Sequence, residues 1–503
     1  MKRYIANILQ IGDENLKPLA LNENIKWEYL DISNDHIDDS LEEIKKINYF
    51  GFSGYLITSK ISLDRLKLID SEIKIEEYKV FNLNPNQSEK TLDYLKDKYN
   101  FYDMSDNDIS GVTNIIFHNF FNQQYGDRMK RDLLKVSASP ETKVHYFGHN
   151  KIQVDTRNKY DKTYISWGSH YLYVRENIME LWLEYELYGD IKIQLEISLT
   201  TANADGNVET ILLSDEEMKS PVLIGPYVQG KTVSFRVILE GNGSAVIGNL
   251  HFRQSRGNYG QMLPGGKRLV NSGREELFVY YNQGNLKPPL NVYFAGYRTA
   301  EGFEGYPMMR SLDHPFILIG DPRLEGGEFY RDVRGDLEEQ LVDFIDNKLE
   351  ELNFDRHALN LMGLSMGTTG AIYYSNMLQP GNVIVGKPLV NLKRIAENST
   401  VNRSEDFLTA LDVQKDMNIT SDDFIIQNIK LENIKNTTFY VIYMEQDDYD
   451  NKGFYKLKEI FDGKINLIGK GFEGRHNDES SKVVDWFLIY AKDAMKKWDD
   501  NNG

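Results

Sequence analysis

The pentapeptide at 363–367, Gly-Leu-Ser-Met-Gly, constrains the fold more than any other feature of the sequence. An apolar run at 359–362 precedes it, and a segment of helical character begins near Thr368. This arrangement is typical of a nucleophile elbow, where a serine occupies a strained strand-to-helix turn and small residues on both sides let backbones pass closely. The alternative is a capping serine in a glycine-rich turn. We predict that Ser365 is a nucleophile.

Three patterns divide the 503 residues. Residues 1–140 alternate short apolar runs with charged helical stretches, which predicts an N-terminal α/β unit. Residues 141–285 carry alternating strands, which predict a β-sandwich for glycan or partner binding. From 286 to 503, strands alternate with amphipathic helices, which predicts a doubly wound, α/β-hydrolase-like sheet.

The middle region holds the clearest alternating runs, at 181–187 and 191–197. Polar and glycine-rich segments at 204–207 and 240–243 predict turns between such strands. Aromatic side chains recur here and would suit stacking on sugars, although aromatics that alternate along strands are more often core. These aromatics are Trp167, Tyr171, Tyr173, Trp182 and Tyr185.

A nucleophilic serine needs a base, nearly always a histidine that a carboxylate holds in place. The chain has nine histidines, and only His476 follows Ser365. In the elbow fold the order along the chain is serine, acid, histidine. We therefore predict that His476 is the base, in a polar loop between a strand at 465–468 and a C-terminal helix.

The acid is expected at the end of the preceding strand, at 438–443. Four carboxylates compete there. Glu445 and Asp447 lie nearest the carboxyl end of the strand, whereas Asp448 and Asp450 lie further into the loop. We prefer Glu445 slightly over Asp447.

The oxyanion hole would use the backbone amide of Met366 and one from the loop that begins at 294–298. Tyr297 and Arg298 are the candidates in that loop, and we favour Tyr297. The long connection at 320–330 lies at the same edge of the sheet. It either lines a substrate site or is a turn without function.

Composition excludes several functions. A formal net charge of −18 argues against nucleic acid or an anionic membrane as the main partner, because such binders carry a basic surface. The absence of cysteine excludes disulfides, thiolate metal sites and a cysteine nucleophile. We expect no metal and no cofactor beyond an acyl donor as co-substrate. We find no export signal and no apolar run near the ~18 residues of a membrane helix, so the expected location is the cytoplasm.

The C-terminal region also carries motifs typical of a known family. The segment at 320–330 reads Gly-Asp-Pro-Arg-Leu-Glu-Gly-Gly-Glu-Phe-Tyr, the run at 443–450 reads Tyr-Met-Glu-Gln-Asp-Asp-Tyr-Asp, and 474–476 reads Gly-Arg-His. With the elbow, the length and the order of parts, they resemble the second accessory secretory proteins of the accessory Sec system in streptococci, staphylococci and relatives. The resemblance covers essentially the whole chain.

The resemblance implies an α/β-hydrolase-like enzyme that O-acetylates N-acetylglucosamine on serine-rich repeat adhesins. It also implies a role in their export with other accessory secretory proteins and an accessory SecA motor, in the cytoplasm or at the inner face of the membrane. The family's serine, glutamate and histidine would correspond to Ser365, Glu445 and His476, with Asp447 still open as the acid. The alternatives are a carbohydrate or peptide serine esterase and a secretion adaptor without catalysis.

Overall fold

The fold is that of a computed structural model, which describes residues 6–18, 21–33, 37–47, 51–129, 133–157, 162–168, 170–201, 208–398, 404–418, 425 and 429–502. Contacts divide the chain into two units. The first comprises residues 1–124 and 255–266, and the second 125–254 and 267–503. A membrane-spanning helix is absent from the described part of the chain, since no helix there has the length and apolar character that a bilayer requires.

The first unit is built on a parallel sheet with helices between its strands. The strands are β1 (Ala6–Gly12), β2 (Ile25–Asp31), β3 (Gly54–Ile57), β4 (Val80–Asn82) and β5 (Tyr102–Asp103), in the order β2-β1-β3-β4-β5. The helices are α1 (Asp38–Ile47), α2 (Leu63–Ile73), α3 (Glu89–Tyr99) and α4 (Ile109–Asn119). Ser62 and Ser88 cap the N-termini of α2 and α3, because each hydroxyl accepts a hydrogen bond from the backbone amide three residues on. This is the alternation predicted for the N-terminal region.

The second unit begins with an antiparallel sheet. Its strands are β6 (Gly126–Met129), β7 (Lys135–Ser137), β8 (Lys143–Phe147), β9 (Lys151–Thr156), β10 (Thr163–Ser166), β11 (Leu172–Val174), β12 (Met179–Thr200), β13 (Val208–Ser214), β14 (Val222–Ile224) and β15 (Lys231–Gln254), with a short helix α5 (Asp215–Met218). The longest strands, β12 and β15, pair with each other along most of their length. The two alternating runs predicted as separate strands therefore belong to one strand, β12.

Glycines let β12 and β15 bend together. Gly189 pairs with Gly243, and Gly189 and Gly241 have φ angles of +90° and +126°, which residues with a side chain rarely adopt. The turn predicted at 240–243 is a bend inside a continuous strand, because the ladder with β12 runs through it. The turn predicted at 204–207 lies outside the described residues.

Both halves of the bent pair face one apolar core, as in a β-sandwich. Leu183 lies before the bend in β12 and Ile193 after it, and both belong to this core. The aromatics that the sequence singles out divide between core and surface: Trp167, Trp182 and Tyr185 are buried, whereas Tyr171 and Tyr173 are 59% and 63% exposed.

An eight-stranded mixed sheet forms the rest of the second unit. Its strands are β16 (Lys267–Val270), β17 (Glu276–Asn282), β18 (Leu290–Phe294), β19 (Phe316–Gly320), β20 (Leu359–Leu364), β21 (Asn382–Gly386), β22 (Thr438–Met444) and β23 (Asn466–Phe472). Its helices are α6 (Tyr306–Arg310), α7 (Asp336–Leu352), α8 (Met366–Leu378), α9 (Leu392–Glu397), α10 (Ser404–Asp416), α11 (Gly453–Phe461) and α12 (Ser480–Asn502).

The strands of this sheet lie in the order β16-β17-β19-β18-β20-β21-β22-β23. β17 is antiparallel to both neighbours, and all pairs from β19 to β23 are parallel. The sequence places β16 and β17 in the sandwich segment 141–285, but their pairing places them in this sheet. The difference arises because antiparallel strands alternate in the same way whichever sheet they join.

Helix α7 illustrates how the sequence sets the packing on this sheet. Four apolar residues at a spacing of four form one buried face of the helix: Leu337, Leu341, Ile345 and Leu349. This spacing keeps side chains on one side of a helix, so that α7 covers the sheet with an apolar stripe.

A buried charge cluster joins the antiparallel sheet to the loop that follows β18. His251, in β15, contacts Glu301 Oε1 through Nδ1 at 2.6 Å and Glu184 Oε1 through Nε2 at 3.0 Å. Arg253 pairs with Glu301 and, at 2.6 Å, with Glu276 Oε2. All of these side chains are buried. Glu301 is therefore held by charges that belong to β15.

The cluster predicts a pH-dependent stability. Burial by itself disfavours the imidazolium, but the carboxylates of Glu301 and Glu184 outweigh it and raise the pKa of His251 to about 9. Because this pKa exceeds that of an unfolded histidine, about 6.5, the contribution is complete below that pH and is lost as pH rises toward 9. In denaturant titrations, the free energy of unfolding of wild type should exceed that of His251→Gln by a few kcal/mol near pH 6. This difference should narrow toward pH 9.

His145→Gln is the control, because His145 is exposed and pairs with Asp155 only at 3.5 Å. Its difference from wild type should stay small at every pH. A gap for His251→Gln that is constant from pH 6 to 9 would contradict the charged state assigned to His251.

Candidate active site

Ser365 occupies the turn between β20 and α8 in a strained conformation, with φ 53° and ψ −120°. Such a backbone costs about 1–3 kcal/mol and persists only where its surroundings impose it. The flanking glycines explain how they do so. A Cβ on Gly363 would lie 2.3 Å from Gly367 O, and one on Gly367 would lie 2.1 Å from Phe294 O. The pentapeptide thus forms the elbow geometry that the sequence predicts.

His476 lies in the loop after β23 and faces the serine. Its Nε2 is 2.8 Å from Ser365 Oγ. The imidazole is buried, and the ring of Tyr449 stacks on it with centroids 4.1 Å apart and planes 8° from parallel. Stacking of this kind fixes the plane of the imidazole, so that only one edge faces Ser365.

Asp447, and not Glu445, is the carboxylate at His476. Asp447 Oδ2 lies 2.9 Å from His476 Nδ1 and is buried. Glu445 is exposed, and its backbone amide donates to Phe472 O, which continues the pairing of β22 with β23. The preference for Glu445 is corrected by this register: a residue still in the strand ladder has its side chain directed by the pleat, whereas Asp447 lies beyond the strand in the turn.

The protonation of the three groups follows from their contacts. Burial raises the pKa of Asp447, but the hydrogen bond and charge of His476 and the amides of Tyr449 and Asp450 lower it more, so the net pKa is below the usual range. An ionised carboxylate only accepts hydrogen bonds, so Nδ1 of His476 carries the hydrogen. Nε2 is then left to accept the hydroxyl hydrogen of Ser365, as a general base does.

Asp448 and Asp450, the two carboxylates that flank Asp447 on its C-terminal side, hold the turn after β22 in place. Asp448 Oδ1 accepts the backbone amide of His476 at 3.0 Å. Asp450 Oδ2 accepts the amides of Val390 and Asn391, both at 2.9 Å. Burial raises the pKa of Asp450 to about 6 despite these amides. The acidic turn therefore connects the histidine loop to the chain that follows β21.

The loop after β18 faces the elbow. Met366 is the first residue of α8, and the first amides of an α-helix have no acceptor within the helix. The Gly296 amide donates to Glu304 Oε2 at 2.7 Å, and the Arg298 amide donates to Gly326 O at 3.3 Å. Tyr297 lies between these two fixed peptides. An oxyanion hole from the amides of Met366 and Tyr297 therefore stays a prediction, with Arg298 engaged elsewhere.

The segment at 320–330 packs directly beneath these residues. A Cβ on Gly326 would lie 2.3 Å from the ring of Tyr297, and one on Gly327 would lie 2.4 Å from Met366 Cε. The two glycines thus make room for the side chains of both predicted oxyanion residues. Tyr330 donates from its hydroxyl to Ala295 O at 2.5 Å.

Asp321 organises this segment. Its carboxylate pairs with the Arg323 guanidinium at 2.8 Å through both oxygens and accepts the amides of Glu328 and Tyr330 at 2.8 and 3.1 Å. Asp321 and Arg323 are both buried. The segment is therefore a rigid support for the elbow rather than a plain surface turn.

Sequence reasoning missed two residues of the site, Tyr449 and Glu304. Tyr449 lies within the acidic run, where attention falls on the carboxylates, and its position between Asp447 and Asp450 is the only signal for it. Glu304 lies in the connection between β18 and β19, and no spacing rule links it to Gly296.

The sheet and the site together define a class. The serine follows β20, the carboxylate follows β22 and the histidine follows β23, at the carboxyl ends of parallel strands. A strand-to-helix elbow with serine, acid and histidine in this chain order is the α/β-hydrolase arrangement.

Comparison with known proteins identifies the family. Residues 6–499 match the family described as "Accessory Sec system GspB-transporter". An accessory Sec system protein of Staphylococcus aureus is 35% identical over 505 residues, covering 96% of this chain and 95% of that protein. One of Streptococcus gordonii is 31% identical over 510 residues, covering 97% and 98%. The chain belongs to this accessory Sec system family, which confirms the resemblance seen in the sequence.

A solved structure extends the similarity to the fold. A chain of the Glycosylation Associate Protein complex from Streptococcus agalactiae superposes with a TM-score of 0.78 at 30% identity, covering 97% of this chain and 98% of that one. The similarity therefore includes both units of this chain.

The geometry predicts unequal effects of two neighbouring carboxylates. Asp447→Asn keeps the size of the side chain but removes the ion that orients His476, so the rate at which a fluorophosphonate modifies Ser365 should fall by roughly 10²–10⁴-fold. Glu445→Gln is the matched control and should react like wild type. Intact mass spectrometry over time measures both rates. Equal losses in the two variants, or a larger loss in Glu445→Gln, would refute the assignment of the acid.

Proposed function

We propose that the chain is a serine-dependent O-acetyltransferase that acetylates N-acetylglucosamine on serine-rich repeat adhesins during accessory Sec export. The observation that carries the chemistry is the continuous line of hydrogen bonds from Ser365 Oγ through His476 to Asp447, with distances of 2.8 and 2.9 Å. Family membership and the resemblance of the motifs support the acceptor and the export role.

The first half of the reaction forms an acyl-enzyme. Ser365 Oγ attacks the acetyl carbonyl carbon of the donor while His476 Nε2 takes the hydroxyl proton. The negative oxygen of the tetrahedral intermediate is stabilised by backbone amides, for which Met366 and Tyr297 are proposed. The bond to the leaving group breaks, the leaving group takes the proton from His476, and an acetyl ester remains on Ser365.

The second half transfers the acetyl group. A sugar hydroxyl attacks the ester carbonyl, and its proton passes to His476 Nε2. The bond to Ser365 Oγ breaks, and the proton returns from His476 to that oxygen. The acetyl group has then moved from donor to sugar, and the enzyme is regenerated. If water attacks instead, the same residues make the chain a serine esterase.

The proposal includes partners and a location. The similar chain from Streptococcus agalactiae belongs to a Glycosylation Associate Protein complex, and we propose that this chain likewise assembles with other accessory secretory proteins. An accessory SecA motor and the glycosylated adhesin precursor complete the proposed set of partners. Nucleic acid is not among them, and the proposed location is the cytoplasm or the inner face of the membrane.

Incubation with p-nitrophenyl acetate followed by intact-mass measurement tests the chemistry. Wild type should gain about 42 Da, one acetyl group in place of one hydrogen. Ser365→Ala and His476→Ala should show no adduct, because one lacks the nucleophile and the other the base. An adduct that persists on Ser365→Ala would refute the assignment of the serine.

The acceptor is identified in a second step. The acyl-enzyme should decay faster in the presence of a glycopeptide that carries N-acetylglucosamine, and the glycopeptide should gain the acetyl group. Decay that ignores the glycopeptide and releases only acetate would favour the esterase. Failure of wild type to form any adduct, together with export that is unaffected by Ser365→Ala, would favour the adaptor.

A further inference from the structure

The loop that carries His476 contains no helix or strand and is held by polar contacts. Its first part is tied to the turn after β22. Gln446 Oε1 accepts the Gly474 amide at 2.5 Å, and Asp448 Oδ1 accepts the His476 amide at 3.0 Å. These contacts hold the loop up to the backbone amide of His476. The part of the loop that follows His476, its far end, is held by another element.

Lys387 holds that far end. Its Nζ donates to Asp478 O at 2.9 Å and to Ser480 Oγ at 3.1 Å. Asp478 closes the short turn around His476, because its Oδ2 accepts the Arg475 amide at 2.8 Å and its own amide donates to Arg475 O at 3.0 Å. The hydrogen bond from Lys387 to Asp478 O therefore restrains the turn that carries the imidazole of His476.

Backbone hydrogen bonds fix Lys387 next to the elbow that carries Ser365 and next to β22, the strand that precedes Asp447. Lys387 follows β21 directly and has φ +59°, a left-handed conformation that residues with a side chain rarely adopt. Its amide donates to Ile442 O at 2.7 Å, and the preceding Gly386 O accepts the Ser365 amide at 2.9 Å. Two adjacent residues thus make these connections: Gly386 contacts the serine, and Lys387 contacts both the strand that leads to the acid and the histidine loop.

Lys387 is itself a buried residue. The residue is 7% exposed, and both acceptors of its ammonium are neutral oxygens. Burial lowers the pKa of Lys387 below its usual value, although the carboxylates of Asp447 and Asp478 act in the opposite direction. Two hydrogen bonds to neutral oxygens therefore hold this buried lysine to the far end of the histidine loop.

We propose that Lys387 is a positioning residue, whose ammonium holds the turn at 475–478 so that His476 Nε2 stays within hydrogen-bond distance of Ser365 Oγ. The inference rests on the proposed function for its effect on rate. The position of His476 itself is measurable without turnover, so the two can fail separately.

The test compares Lys387→Met, which keeps the length of the side chain but donates no hydrogen bond, with Lys387→Arg, which keeps the charge and the donors. For Lys387→Met we expect acylation by p-nitrophenyl acetate to slow by about 10- to 100-fold, with little change in KM. Lys387→Arg should recover most of the rate.

A second readout follows the base directly. The hydrogen that His476 Nδ1 donates to Asp447 should give a downfield proton NMR signal, assigned by its loss in His476→Gln. We expect this signal to broaden or disappear in Lys387→Met and to be retained in Lys387→Arg. Lys482→Met is the matched control. Lys482 follows the turn at 475–478 closely in sequence, but its side chain is 60% exposed and pairs with Glu479.

The outcomes separate the two proposals. Absence of a Ser365-dependent adduct on wild type refutes the proposed function, and the NMR comparison then decides on Lys387 alone. A Lys387→Met protein with a wild-type signal, or with a wild-type acylation rate where wild type is active, overturns the positioning role. A rate loss that Lys387→Arg does not recover, or that Lys482→Met shares, overturns it as well.

Discussion

The close approach of three backbone segments around Ser365 is the constraint on which the rest of the site depends. The carbonyls of Gly367 and Phe294 lie where side chains on Gly363 and Gly367 would have to be. Backbone atoms cannot move aside as the end of a flexible side chain can, so the position of Ser365 is set by the sheet itself. A strained residue persists only under such conditions. The other groups of the site must therefore be positioned relative to Ser365, whose own position is fixed.

The loop after β18 shows how that positioning is achieved. On the elbow side it is held by Glu304, which accepts the Gly296 amide, and by Tyr330, which donates to Ala295 O. On the other side Glu301 is held by His251 and Arg253 of β15. Buried ion pairs contribute little net stability, but the loss of one partner is strongly destabilising. The cluster thus ties the loop to β15, and the antiparallel sheet becomes part of the support for the loop that faces the elbow.

The sequence predicts those parts of the structure that depend on local pattern. The elbow at Ser365, the alternation of strands and helices after it, and a histidine in the last loop all follow from short-range spacing, and the described geometry matches them. The choice between Glu445 and Asp447 does not, because it depends on where β22 leaves the ladder with β23, which is a contact between segments far apart in sequence. The same reason hides the membership of β16 and β17 in the eight-stranded sheet and the support that the segment at 320–330 gives to Tyr297.

The order of the sheet explains why a strand without a serine, acid or base of its own is central to the site. β21 lies between β20, which precedes the serine, and β22, which precedes the acid, so its end faces both. Gly386 accepts the Ser365 amide, the Lys387 amide donates to Ile442 O, and the amides of Val390 and Asn391 donate to Asp450. In a parallel sheet the carboxyl ends of neighbouring strands lie at one edge. Residues at the end of the middle strand can therefore contact residues that follow both of its neighbours. The polar contacts at and after the end of β21 therefore connect the elbow that carries Ser365 to the strand and turn that carry Asp447.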